Sequence, residues 1–334
     1  MNVGISLTFL LSACLLQACG PARLNPSDLE DSSDPAPMVV CTFNIRGANT
    51  TDTLSDGTPI YWDVRKASVK RFLDAVQPDI VGLQEVTGVQ PEWFKSYASG
   101  NPDYGYYDVS MDKGIDPLDL AKIMKKGPGI GVLYRKDRFD LVSADYFWLD
   151  EDIHALPAWH EVTVDGKPKG VFGVWESGNP RIVLSVVLKD RKHQNTLIHF
   201  FPAHYDNFSV EARRNSAGLM VAQMKEICQE VDLKEGGAVV FHVGDLNTVS
   251  DSGLLDSLND NLKYARTAAP GPDMDIGTYN GYRKSHSTWH IIDHIYYGGK
   301  AVKPVKYWVD RTDYGVPFLS DHFPVLFKWE YREK

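Results

Sequence analysis

Short apolar runs, each ending in a polar residue, recur along the chain and predict most of its elements. Met38-Val39-Val40-Cys41-Thr42-Phe43, Ile80-Val81-Gly82-Leu83 and Ala238-Val239-Val240-Phe241 show no polar alternation, the pattern of strands buried on both faces. Further strand-like stretches fall at 104–109, 130–134, 138–143, 181–188 and 195–201, with final strands near 292–297, 305–309 and 323–329. Helical spacing appears between Asp63 and Val76, where Val69, Phe72, Leu73 and Val76 share a face and Pro78 stops the run. Ser209 is placed to cap a second, longer helix with Ala217, Met220, Met224, Ile227 and Val231 on its buried face. From 246 to about 288 the pattern is irregular, and no repeat or low-complexity block follows residue 37.

The polar ends are Asn44, Glu85, His204, Asp245 with Asn247, Asp293, and Asp321 with His322. A single Gly-Asp-Leu-Asn stretch reads as a turn, because Gly, Asp and Asn are turn formers. Carboxylates, carboxamides and imidazoles released at one strand end after another read instead as the floor of a catalytic pocket, its geometry fixed by a rigid sheet. Each residue also has a plainer reading. Glu85 fits a solvent-exposed charge, His204 a hydrogen-bonded core imidazole, and His322 a cap on the turn before Pro324. His154, His160, His193, His199, His242, His286, His290 and His294 are taken as structural, although His290 and His294 flank Asp293.

Composition narrows the picture. With 334 residues, 43% hydrophobic and 24% charged, the chain can bury a large core, and length alone suggests two domains. Its formal net charge of -9 argues against holding nucleic acid by broad electrostatics, which needs clustered Lys and Arg. Residues 1–18 read as a signal peptide, with an apolar core from Val3 to Leu16 too short to span a bilayer. Leu16-Gln17-Ala18-Cys19 resembles the bacterial lipoprotein cleavage box, making Cys19 the expected lipidated residue and Cys14 the alternative. The n-region lacks the usual Lys or Arg. Residues 19–37, rich in Pro, Ser and acid, read as a solvated tether, so the expected location is the bacterial cell envelope, on the outer membrane or secreted. Cys41 and Cys228 remain as small core residues that nothing requires to pair.

Phe43-Asn44-Ile45-Arg46, Gly82-Leu83-Gln84-Glu85-Val86, Gly244-Asp245-Leu246-Asn247, Ile292-Asp293-His294-Ile295 and Ser320-Asp321-His322-Phe323-Pro324-Val325 follow one another in a familiar order. The order resembles the endonuclease/exonuclease/phosphatase superfamily, the DNase I-like proteins, over about 38–329. The resemblance implies one domain from 38 to 334 and a four-layer α/β sandwich, two mixed β-sheets face to face with helices outside. It implies an enzyme that hydrolyses phosphate esters with Mg²⁺ or Mn²⁺. Glu85 and Asp321 would ligate the cation, with Asn44 in or near that shell. Asp245 would orient and deprotonate the attacking water, and Asn247 would bond a phosphoryl oxygen. Asp293 and His322 resemble the family's carboxylate–imidazole pair, and His204 its second histidine, a proton donor or phosphate ligand.

Departures bear on substrate. Ile291-Ile292-Asp293-His294 replaces an Arg-Ile-Asp-Tyr common in bacterial relatives, and His204-Tyr205-Asp206-Asn207 replaces His-Leu-Asp-His. Asn179-Pro180-Arg181 resembles a Leu-Pro-Arg of bacterial members, which makes Arg181 and Asp206 substrate-side residues or, for Arg181, a surface charge. Residues 111–128, with four lysines, and 150–178 resemble insertions. The first expectation is phosphodiester or nuclease-like hydrolysis on a nucleic acid, nucleotide or small phosphorylated substrate. A phosphomonoesterase, a phospholipid head-group hydrolase, or an inactive binding lipoprotein of the same fold is the alternative. A membrane contact through the lipid anchor is expected, and no obligate protein partner.

Overall fold

The structure is a computed structural model and describes residues 36–48, 50–101, 103–109, 129–271, 275–285 and 290–332. The signal segment, Cys14, Cys19, most of the tether, the lysines at 113, 122, 125 and 126, and His286 lie outside the described residues.

Strand β1 (Met38–Asn44) runs parallel to β2 (Ile80–Gln84), with Asn44 opposite Gln84. Helix α1 (Trp62–Val76) makes the crossover that a parallel pair requires. It ends where Gln77 takes a left-handed conformation and donates its N–H to the Leu73 carbonyl, one residue before Pro78. The first sheet is completed by β3 (Tyr104–Asp108), β4 (Gly131–Arg135), β13 (Val302–Val309) and β14 (Val325–Tyr331), in the order β13-β14-β1-β2-β4-β3.

The second sheet repeats the plan. β9 (Thr196–His204) and β10 (Val239–Asp245) are parallel, joined through helix α3 (Val210–Cys228). With β5 (Phe139–Trp148), β8 (Ile182–Asp190), β11 (Lys263–Tyr264) and β12 (Asp293–Gly298) the order is β11-β12-β10-β9-β8-β5. β6 (Trp159–Val164) and β7 (Lys167–Phe172) form a separate hairpin, helix α2 (Gln90–Gly100) follows β2, and short helices α4 (Asp256–Asn261) and α5 (Ala265–Ala268) precede β12.

The uninterrupted apolar runs are explained by which cluster each face joins. Val40 of β1 and Phe241 and Val243 of β10 pack between the sheets, with Val132, Val186, Phe200, Ile295 and Phe327. The opposite faces belong to the helices: Cys41, Phe43 and Leu83 pack with Val69 and Phe72 of α1 and Phe94 of α2. Val183, Phe201 and Val240 pack with Ala217, Met220 and Met224 of α3. The result is two mixed six-stranded sheets with helices outside, the DNase I-like α/β sandwich. At Gly82 the sheets come so close that a Cβ would lie 2.7 Å from Val243 Cγ2 and 2.9 Å from Pro202 Cβ.

Three expectations change. Ser209 does cap α3, accepting the Ala212 N–H at 3.1 Å, but Gln229 at φ 50° ends that helix before Val231, which is 85% exposed. β5 runs to Trp148, well past 143, and the hairpin and α2 fall in stretches for which no element was predicted.

Candidate active site

Three neighbouring strand ends of the second sheet carry the centre of the site. The register sets Asp245 of β10 opposite His204 of β9 on one side and Asp293 of β12 on the other. Asp245 Oδ1 accepts the Asn247 N–H at 3.0 Å, and Oδ2 accepts the Asn44 Nδ2 amide at 3.1 Å. Two imidazoles face the same Oδ2, His204 Nε2 at 3.4 Å and His322 Nε2 at 3.6 Å. His322 Nδ1 lies 2.8 Å from Asp293 Oδ2, so its N–H donates to that carboxylate and the ring is held in one orientation.

The electrostatics follow from burial in company. Burial alone would lower the His322 pKa, but the carboxylates of Asp293, Asp245 and Asp321 overcome it and hold the ring at about 10, an imidazolium at neutral pH. Asp245 is raised to about 7, chiefly by burial, against the lowering effect of His322. His204 goes the other way: burial, then the charges of Arg181 and His322, push it well below 6.5 and keep it neutral. Two histidines beside one carboxylate thus carry different charges.

The first sheet supplies two more carboxylates. Glu85, just past β2, sits at φ 58°, a conformation uncommon outside Gly and characteristic of functional loops. Its Oε1 accepts from Asn44 Nδ2 and its Oε2 from the Gly47 N–H, both at 3.1 Å. Asp321 accepts from Ser320 Oγ at 3.2 Å and lies 3.7 Å from Arg46 Nη1. Burial raises the Asp321 pKa, and the Glu85 charge adds to the rise against His322 and Arg46. Glu85 and Asp321 therefore feel each other, and both line one cleft of about 540 Å³ together with Asp245, Asn247, His204, His322 and Arg181.

Two groups of side chains are candidates for a cation. Asp245, Asp293 and His322 have ligand atoms within 4.8 Å of one another. In that trio His322 Nδ1 and Asp293 Oδ2 are already hydrogen-bonded to each other, and the three surrounding carboxylates favour the imidazolium, whereas a metal-binding His must be neutral. Glu85 and Asp321 are hard oxygen donors lining the same cleft, with lone pairs left over and a mutual repulsion that a cation relieves. This second set fits a hard divalent cation such as Mg²⁺ or Mn²⁺. Asn44 links the two sets differently from expectation. Its oxygen accepts the Arg46 N–H at 3.1 Å, and the amide nitrogen, which two carboxylates require on their side, is the atom turned toward Glu85 and Asp245.

Asn247 lies past the strand end at φ 51°, so a turn and not strand alternation brings it into the cleft; its amide donates to the Tyr205 carbonyl at 2.9 Å. Arg181 is buried at the cleft wall with Asp206 behind it. Asp206 does not line the cleft: its oxygens accept the N–H groups of Phe208, Ser209 and Asn179. His290 reaches the cleft, while His294 is buried between the Tyr264 hydroxyl and the Thr248 carbonyl. Arg46 and Tyr279 are among the cleft residues that had no predicted role. Arg46 holds Asp52 bidentately at 2.9 and 3.1 Å, and it stood in plain view in Phe43-Asn44-Ile45-Arg46. Tyr279 packs edge-on against His322 with ring centroids 4.9 Å apart, but it lies in the irregular stretch, where no periodicity points to it.

A sandwich whose two sheets bring paired carboxylates, a carboxylate–imidazolium pair and arginines into one cleft is a phosphoesterase fold. The model of the Endonuclease/Exonuclease/phosphatase family matches residues 41–322, and the chain belongs to that family, whose members are hydrolases acting on phosphate esters. Among solved structures, an endonuclease/exonuclease/phosphatase from Bacteroides vulgatus is 26% identical with a TM-score of 0.68, covering 89% of this chain and 100% of that one. The mannosyl-6-phosphatase of Bacteroides thetaiotaomicron is also 26% identical at TM-score 0.68, covering 87% of this chain and 99% of its own. TDP2 from D. rerio, complexed with a single-strand DNA product, shares the fold at 15% identity and TM-score 0.58, covering 88% of this chain and 99% of that one. No curated protein matches the sequence.

Proposed function

We propose that the protein is a divalent-metal-dependent hydrolase of phosphate esters, with water as the nucleophile. The observation that carries this reading is the β9-β10-β12 register, which sets His204, Asp245 and Asp293 side by side, with His322 reaching from Asp293 to Asp245. Glu85 and Asp321 would hold the cation, whose positive charge offsets that of the phosphoryl oxygens. Asp245, fixed on both oxygens, orients the attacking water and accepts its proton. His322, kept cationic by Asp293, stabilises charge developing on a phosphoryl oxygen. His204 is neutral and has no surplus proton, so it serves as a hydrogen-bond donor to the phosphate and not as the acid for the leaving group. Asn247 retains one amide hydrogen free for the same phosphate.

Small phosphorylated molecules are favoured over polymeric nucleic acid. The formal charge of -9 argues against holding a polymer by broad electrostatics, and the likeness to a mannosyl-6-phosphatase points the same way. The test is a side-by-side assay of plasmid DNA, RNA, sphingomyelin, inositol phosphates, nucleotides and sugar phosphates with Mg²⁺ or Mn²⁺. Turnover abolished by chelator is expected, and Asp245→Asn should reduce kcat by roughly 10²- to 10⁴-fold while leaving the fold intact. Turnover of no phosphoester with either metal would replace this reading with that of a binding protein.

A further inference from the structure

Arg181 stands apart from the other buried arginines. Arg65 donates to the carbonyls of Ile60, Ile45 and Leu319 at 2.6 to 2.8 Å, and Arg138 grips both oxygens of Asp190. Arg181 is buried too, only 6% exposed, yet among the described residues its Nε has no hydrogen-bond partner. Asp206 Oδ2 lies 3.7 Å from its Nε, too far for a hydrogen bond, and that carboxylate is already occupied by three backbone N–H groups. A buried guanidinium with an unpartnered N–H is costly, and an arginine fork is shaped to meet two acceptor oxygens at once. Arg181 lines the cleft beside His204, so the missing acceptor has to come from what enters there.

The carboxylate side of the cleft makes its own demand. His322 presents its Nε2 at Asp245, and Glu85 and Asp321 offer their carboxylates to a cation, so the substrate phosphate must also give oxygens on that side. A phosphodiester has two non-bridging oxygens, which a fork on Arg181 would have to share with His322 and the cation. A phosphomonoester has three. Resting on the hydrolase reading above, we infer that Arg181 is the specificity-determining residue of this site, selecting a dianionic terminal phosphomonoester by holding two of its oxygens while the third faces His322 and the cation site. Asp206 is its positioning residue, kept from rotating by the turn that it caps.

The experiment compares p-nitrophenyl phosphate with bis-p-nitrophenyl phosphate, using wild type, Arg181→Met and Arg181→Lys, with inorganic phosphate binding measured by calorimetry on the same proteins. The wild type should prefer the monoester. Arg181→Met should lower monoester kcat/KM by roughly a hundredfold, the scale of a lost charged hydrogen-bond pair, and at least tenfold more than it lowers the diester value. Arg181→Lys, which keeps charge and bulk but not the fork, should fall between them, and circular dichroism melts should show all three folded. Phosphate affinity should drop in parallel. Equal loss on both esters, a wild-type preference for the diester, or phosphate binding indifferent to Arg181 overturns the inference. A wild type that hydrolyses neither ester defeats the hydrolase reading alone, because the calorimetry still decides whether Arg181 holds the phosphate.

Discussion

At the residue scale, one carboxamide organises the centre. The Asn44 amide nitrogen reaches Glu85 and Asp245, so the side chain couples the wall that would carry a cation to the wall that would carry the base. The division of labour between those walls can be measured without turnover. A cation that binds the folded state alone raises stability by about 2.7 kcal/mol at a hundredfold excess over its Kd, a shift of several degrees in Tm for a chain of this size. Wild type titrated with Mg²⁺ or Mn²⁺ should show that rise. Glu85→Gln and Asp321→Asn should lose most of it, whereas Asp293→Asn should retain it, because Asp293 is bonded to His322 and not offered to a cation. A shift lost in Asp293→Asn and kept in Glu85→Gln would move the cation to the Asp245, Asp293 and His322 trio. Glu85 and Asp245 were legible in the sequence because each closes an apolar strand, and Asp293, Asp321 and His322 because each stands at or shortly before the start of one, and a strand end has one direction in which to deliver a side chain. Tyr279 was not legible, since it is brought to His322 by isolated bridges in an irregular segment.

At the element scale, legibility followed burial. Strands β1, β2 and β10 are covered on both faces and betray themselves by unbroken apolar runs. Strand β6 buries no residue and β7 only Val171, so neither has a buried face that alternation could reveal. Helix α2 hides for another reason: it is short, opens on Gln90-Pro91 and buries mostly aromatic bulk, Phe94 and Tyr97, which reads equally well as strand. Gly82 shows an element-level constraint that function depends on. It breaks the β-branched habit of its strand so that β2 can sit against Val243 and Pro202, three residues before Glu85 and two before Asp245. Gly82→Ala should therefore destabilise the protein by about 1–3 kcal/mol, the usual result of adding a carbon to a filled interior. The urea midpoint should fall with an unchanged m-value, and kcat should fall too, because prying the sheets apart separates Glu85 from Asp245. A variant as stable as wild type would show that the sheets are not in contact where the geometry puts them.

At the scale of the whole molecule, charge and burial give opposite forecasts for acid. A chain with a formal charge of -9 loses self-repulsion as its carboxylates protonate, which favours the fold at lower pH, as does Asp245 with its pKa raised to about 7. The buried histidines resist. His242 donates from Nδ1 to the Phe201 carbonyl at 2.8 Å and accepts at Nε2 from the Tyr205 hydroxyl at 3.0 Å, an arrangement that only the neutral ring satisfies. Burial depresses its pKa from 6.5 to about 4, with the Phe201 carbonyl opposing the shift. The unfolded chain therefore takes up that proton first. The contribution is intact above 6.5, declines as pH falls from there, and by about pH 4 amounts to a loss on the order of 3 kcal/mol for one group. Surface repulsion is screened within about 8 Å at physiological salt, whereas the interior is not, so the buried ring is the sharper of the two effects. Differencing against His242→Gln removes everything the two proteins share, Asp245 and the net charge included. Urea titrations should find the variant less stable than wild type at pH 7, with the gap closing by about that same 3 kcal/mol by pH 4. A gap that stays constant with pH would mean the ring is as easily protonated inside the fold as outside it, and the acid sensitivity of this sandwich would then fall to its other buried imidazoles, His204 and His294.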